Sequence, residues 1–129
     1  MGAFSNDLET ALLDHTLGST SWAQPTSIYV GLCTTNPTDA AAGECNAGTY
    51  KRKAIAFDAA SGSSITSATD TVTFDQATGT AWGTIRGYAL FDSSSAGSML
   101  YYADLSTSVV VAINDTVEFA GAAVVVTLD

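Results

Sequence analysis

From Ser27 onward the chain alternates apolar and polar residues in short runs, each closed by Gly, Ser, Asn or Asp. A period of two is the repeat of a pleated strand, so this pattern limits the fold class before any other feature does. Ile28, Val30 and Leu32 point one way, and Tyr29, Gly31 and Cys33 the other. Ile55 and Phe57 form the inward pair of a second strand that opens with Lys51, Arg52 and Lys53. Ala59 to Ser67 is Ser/Gly-rich and reads as loop, while Val72 and Phe74 alternate with Thr71 and Thr73 in a strand with one solvated face. Trp82 to Asp92 is the longest strand: Trp82, Thr84, Arg86, Tyr88 and Leu90 share one face, and Ile85, Gly87, Ala89 and Phe91 the other. Met99 to Leu105, Val109 to Ile113, Val117 to Phe119 and Ala122 to Leu128 complete the set. Asn114-Asp115 and Ala120-Gly121 separate the last three at hairpin-like spacings. About eight short strands with regular turn signals predict an all-β protein, an antiparallel β-sandwich or jelly-roll-like barrel. One domain over 1–129 is expected, with a helix inside 1–18 and strands across 27–128.

The one segment with a helical period comes first. Leu8, Ala11, Leu12 and His15 fall at i, i+3, i+4 and i+7. Asn6 with Glu9 has the form of a capping pair, and Gly18 supplies the stop. A helix this short is marginal alone, so its Leu face must dock on the sheet or clasp a neighbour.

Composition narrows the partners. A hydrophobic content of 47% rules out a disordered chain. Only 13% of residues are charged, so the surface draws its polarity from Ser, Thr, Asn and Gly, and a part of it is expected to be covered by another protein. A net charge of −9 with four Lys and Arg argues against nucleic acid and against an anionic membrane. The first residues carry acids and no basic run, so no signal peptide is read there and synthesis in a cytoplasm is expected.

No catalytic constellation emerges. His15 is the single histidine, and Asp14 beside it on a helix does not face it. No G-x-S-x-G occurs, and the two cysteines lack the paired Cys/His spacing of zinc, so neither enzyme activity nor a metal or cofactor is expected. Cys33 ends one strand and Cys45 lies late in the loop that returns to the next. They either close a disulfide, worth roughly 3 kcal/mol in the chain-entropy account, or remain two partly buried thiols. Lys51, Arg52 and Lys53 alternate sides of a strand, which suits edge protection or pairing with acids of a neighbouring strand or subunit. Trp22, Trp82, Tyr88, Tyr101 and Tyr102 are core or interface aromatics. Tyr101 and Tyr102 are adjacent, so one of them must serve a second buried layer or a subunit contact.

Several stretches taken together carry a resemblance: Phe4-Ser5-Asn6 with Ala11-Leu12-Leu13-Asp14-His15, then Tyr29-Val30-Gly31-Leu32, Pro37-Thr38-Asp39 and Tyr50 with Arg52. Ala81-Trp82-Gly83-Thr84, Phe91-Asp92, Asn114-Asp115-Thr116 with Phe119, and Thr127-Leu128-Asp129 continue it along nearly the whole chain. In this order they resemble a family of small virion proteins of tailed bacteriophages, commonly labelled tail fibre proteins and similar to capsid cement or decoration proteins. Cys33 departs from the family, which more often has an aromatic or aliphatic residue there. The resemblance implies a non-enzymatic structural protein of the virion, with capsid cement favoured because the chain has no shaft. The alternative it leaves is a tail fibre or adhesin-like module that binds a host glycan or protein. Expected partners are the major capsid protein or tail proteins and further copies of the chain, a trimer among the options. Leu8, Leu12, Trp22, Lys51, Arg52, Lys53 and Tyr101 are the expected subunit contacts.

Overall fold

The computed structural model describes residues 2–128. In chain order the elements are β1 (Gly2–Phe4), α1 (Asn6–Thr16), β2 (Ile28–Cys33), β3 (Lys53–Ile55), β4 (Ser64–Thr66), β5 (Val72–Thr73), β6 (Gly83–Phe91), β7 (Met99–Val111), β8 (Glu118–Phe119) and β9 (Val125–Thr127). A five-stranded sheet runs β1-β7-β6-β2-β3, and two ribbons, β4-β9 and β5-β8, make up the rest. All pairs are antiparallel. The fold is all-β with one short N-terminal helix, as the periodicity predicts.

The inward row of β2 explains the layering. Val30 and Leu32 face a main core that Ile55, Ile85 and Leu90 share from the sheet, and Phe74, Val124 and Val126 from the ribbon side. The ribbons thus cover one sheet face, and burial of that apolar surface is the main stabilising term. On the opposite face a smaller cluster forms from Cys33, Ala89 and Phe91, with Ala42, Met99 and Tyr102 against it. Tyr101 packs on the main core and Tyr102 on the small cluster, so the adjacent tyrosines serve opposite faces.

Four local expectations need correction. Ser64–Thr66 is a strand where the Ser/Gly content predicts loop, because Ile65 aligns with Val126 of a strand far along the chain. The two hairpins near the C-terminus do not form. Instead β8 pairs with β5 and β9 with β4. The reason lies in where the turn backbones bond: Asn114 N–H donates to Ala77 O (2.6 Å), Ala77 N–H to Asp115 O (2.9 Å) and Ala122 N–H to Ala68 O (3.0 Å). Each turn is tied to an earlier segment, which draws the following strand away from its predecessor. The helix cap shifts by one residue. Ser5 is the N-cap, its Oγ accepting from Leu8 N–H (3.2 Å) and donating to the Met99 carbonyl. Ser5 N–H also donates to Leu100 O (2.9 Å), so the cap is at the same time the bolt that holds α1 to β7.

The fourth correction is on β6. Ile85 pairs with Val109 but Gly87 pairs with Asp104, so Arg86 alone lies opposite Leu105, Ser106, Thr107 and Ser108. This four-residue bulge joins Met99–Leu105 and Val109–Val111 into one strand. It also breaks the strict alternation. Ile85 turns into the main core with Tyr88 and Leu90, rather than sharing a face with Ala89 and Phe91.

Candidate functional site

The segment between β2 and β3 is an arm laid back over the sheet. Thr34 N–H donates to Gly43 O (2.9 Å) and Cys45 N–H to Leu32 O (2.8 Å), which zips its two limbs together. In the following extended run, Tyr50 and Arg52 stand two residues apart and so share a side. Both meet Glu44. Arg52 holds the carboxylate through two bonds, Nε to Oε1 at 2.8 Å and Nη2 to Oε2 at 2.7 Å. The Tyr50 hydroxyl donates to the same Oε1 (2.7 Å) and accepts from Leu32 N–H (2.8 Å).

The remaining guanidinium nitrogen reaches the turn between β6 and β7. Arg52 Nη1 donates to the carbonyls of Ser93 (2.8 Å) and Ala96 (2.7 Å). Ala96 and Gly97 are both left-handed there (φ 51° and 70°), which brings the turn carbonyls round to the guanidinium. The Arg52 Cζ lies 3.4 Å from the centre of the Phe91 ring, a cation–π contact on the small cluster. Only 9% of the Arg52 side chain is exposed, so these partners have replaced its water. A satisfied buried network of this kind fixes one geometry, since any slip leaves a buried charge unpaired. Gly31 makes room for it: a Cβ there would come within 2.8 Å of Glu44 Oε1 and 2.9 Å of both Phe91 and the Tyr50 hydroxyl.

The network also acts on ionisable neighbours. Burial, the Glu44 hydrogen bond and the Glu44 charge together push the Tyr50 hydroxyl well above its usual value. Burial, with the Glu44 carboxylate second, pushes the Cys33 thiol up to about 12. Both cysteines are buried free thiols. They lie in different clusters, Cys33 with Ala89 and Phe91, Cys45 with Leu32 and Trp82, because Cys33 pairs with Glu44 and Cys45 bonds to the preceding residue, Leu32.

The other expected contact residues scatter. Lys53 pairs with Asp75 at 2.7 Å on the surface and holds that carboxyl below its usual range. Lys51 is exposed. Leu8 is buried within the chain, Leu12 is half-buried, and Tyr101 packs edge-on against Phe4. Trp22 is half-buried; its backbone N–H donates to His15 Nδ1 (3.2 Å). It borders a shallow groove of about 440 Å³ beside α1, with Asp7, Thr10, Asp14 and Ser21 on the walls. Glu44 escaped the sequence reading. The signal available for it was the shared side of Tyr50 and Arg52, which calls for an acid between them. Also unforeseen is the apolar exposure at the far end of β7, where Val110 is 68% exposed and Ile113 49%.

A family model described as Podophage GP4 fiber I protein gp80 matches residues 3–127. The chain belongs to this family. Membership makes it a structural virion protein of the phage tail-fibre type, in line with the resemblance carried by Tyr29-Val30-Gly31-Leu32 and Ala81-Trp82-Gly83-Thr84. No curated protein matches the chain. Within a fibre-type family the Glu44–Arg52 network acquires a plain sense. It is a structural clamp, with its charges turned inward on each other.

Proposed function

We propose that the chain is a non-enzymatic subunit of a phage fibre that works by burying surface against neighbouring virion proteins. The observation that carries this reading is the fibre-protein family match over residues 3–127. The inward use of Arg52, Glu44 and Tyr50 supports it, because the most polar cluster is bound up in holding the arm. A fibre role is preferred here to capsid cement on the strength of the family description. Labelled antibody against the chain, imaged on intact particles, checks it: a few copies at the tail are expected, and hundreds over the capsid would overturn the fibre role in favour of cement.

A receptor-binding role within the fibre is favoured by the groove beside α1. An indole flanked by Asp7, Asp14, Thr10 and Ser21 offers the stacking face and the hydroxyl-binding groups that a saccharide needs. Loss of host adsorption in particles carrying Trp22→Ala, with assembly intact, is the expected outcome; unchanged adsorption would remove this role.

A further inference from the structure

The groove beside α1 is lined by a single stripe of that helix. Asp7, Thr10, Ala11 and Asp14 stand at i, i+3, i+4 and i+7, so they share one face, with the two carboxylates about 10 Å apart along the axis. Trp22 and Ser98 line it too. Both acids are exposed, and neither is in an ion pair among the described residues. No lysine or arginine stands among the lining residues. Asp14 also sits in the last turn of α1, where the backbone carbonyls already present the negative end of the helix dipole. His15 does not offset this, because its Nδ1 accepts from the Trp22 N–H and the ring stands there as a neutral acceptor. The walls are held before any ligand arrives. Asn6 N–H donates to Asp39 O (3.0 Å), which ties the helix to the arm, and Ser98 N–H donates to Asp92 Oδ1 (2.8 Å), which fixes the wall at Ser98.

We propose that this groove selects an amino sugar, a saccharide whose protonated amine sits between the Asp14 carboxylate and the Trp22 ring. The inference rests on the saccharide reading of the groove and names the class of sugar. A neutral sugar would use the indole and the hydroxyls but leave both carboxylates to water. A carboxylated sugar would be repelled by those two acids and by a net charge of −9. An ammonium group gains on each count. It makes a charge-assisted hydrogen bond to a carboxylate, answers the negative end of α1, and finds in the indole the aromatic face that cations prefer. Trp22 is half-buried, so part of its surface stays open for that contact. Thr10, Ser21 and Ser98 supply hydroxyls for those of the sugar, and a lysine side chain in the same place would leave them unused. Walls already fixed lose little freedom on binding.

Calorimetric titration of the full-length chain with a glucosamine trisaccharide and with its N-acetylated counterpart tests it, below neutrality where the free amines are protonated. The amine form is expected to bind at least about tenfold tighter, with the gap closing as salt is added. Asp14→Asn is expected to remove most of that gap and to leave the affinity for the N-acetylated sugar unchanged. Asp70→Asn, the same loss of charge outside the groove lining, is expected to keep the gap. Trp22→Ala is expected to lose both sugars. Equal binding of the two sugars, or tighter binding of the N-acetylated one, overturns the amino-sugar inference and leaves the saccharide reading standing. Binding of neither removes both. An amine preference that survives in Asp14→Asn and in Trp22→Ala also overturns the inference, because it is then the general attraction of an acidic chain. Trilysine bound as tightly as the amino sugar overturns it as well.

Discussion

The arm from Thr34 to Arg52, laid over the five-stranded sheet, and the outer half of β7 within that sheet are built on opposite terms. In the arm, polar groups meet within the chain: Arg52 makes four hydrogen bonds and stacks on Phe91, while Tyr50 both donates and accepts. On β7 no strand among the described residues lies along the backbone edge past Ala103, and beyond Asp104 the exposed side chains are Ser, Thr and Val. The arm binds its charges to one another, and the open run from Leu105 to Ile113 has none. In a protein this poor in charge, Arg52 closes an internal clamp, while the exposed stretch Ser106–Val110 carries no charge.

The contrast makes unequal predictions for the two regions. Glu44→Ala should cost about 3 kcal/mol, because it strands the largely buried guanidinium of Arg52. Thermal unfolding should show it as the largest loss of the set; a loss below about 1 kcal/mol would mean that the arm is held by packing rather than by the clamp. Alkaline titration probes the same region more gently. The Cys33 thiol is ordinary when unfolded (9.0) and raised to about 12 when folded, so between these values the unfolded state has lost a proton that the folded state retains. Stability should therefore fall as pH rises above 9.0, by about 1.4 kcal/mol per pH unit from this group. Tyr50, raised in the same direction, steepens the fall at higher pH. Urea unfolding across that range, with Cys33→Ala as the comparison, should show a shallower slope in the variant; an equal slope would detach the thiol from the effect. The smallest response belongs to the exposed pair at the β3 edge. Lys53→Ala should leave the melting temperature within error at neutral pH, since surface ion pairs contribute little. Because Lys53 lowers the Asp75 carboxyl, whatever the pair adds is present at neutral pH and disappears on acidification through that lowered value.

What could be read from the sequence was local. The alternation Ile28, Val30, Leu32 names its own strand and its own inward face, and the structure buries Val30 and Leu32 as that row requires. Leu8, Ala11 and Leu12 likewise identify the helix, although Ser5 rather than Asn6 caps it, because Ser5 has a second bond to make on β7. What could not be read depended on partners distant in the chain. Ile65 has too few apolar neighbours to declare a strand and becomes one only against Val126. Ile85 changes face because Leu105–Ser108 bulge opposite Arg86, an event that β6 itself does not encode. The candidate site divides along the same line. Lys51, Arg52 and Lys53 drew attention by composition, but the role of Arg52 is decided by Glu44, by two turn carbonyls and by the Phe91 ring.

The depth of the Arg52–Glu44 pair bears on the media a virus particle passes through. Dissolved ions weaken an attraction between charges to the extent that water reaches the space between them, and only 9% of the Arg52 side chain is open to it. The Lys53–Asp75 pair, with more than half of its carboxylate side chain in solvent, loosens in brine. The arm therefore keeps one shape from fresh water to saline surroundings, and whatever it touches on the particle finds the same relief in both.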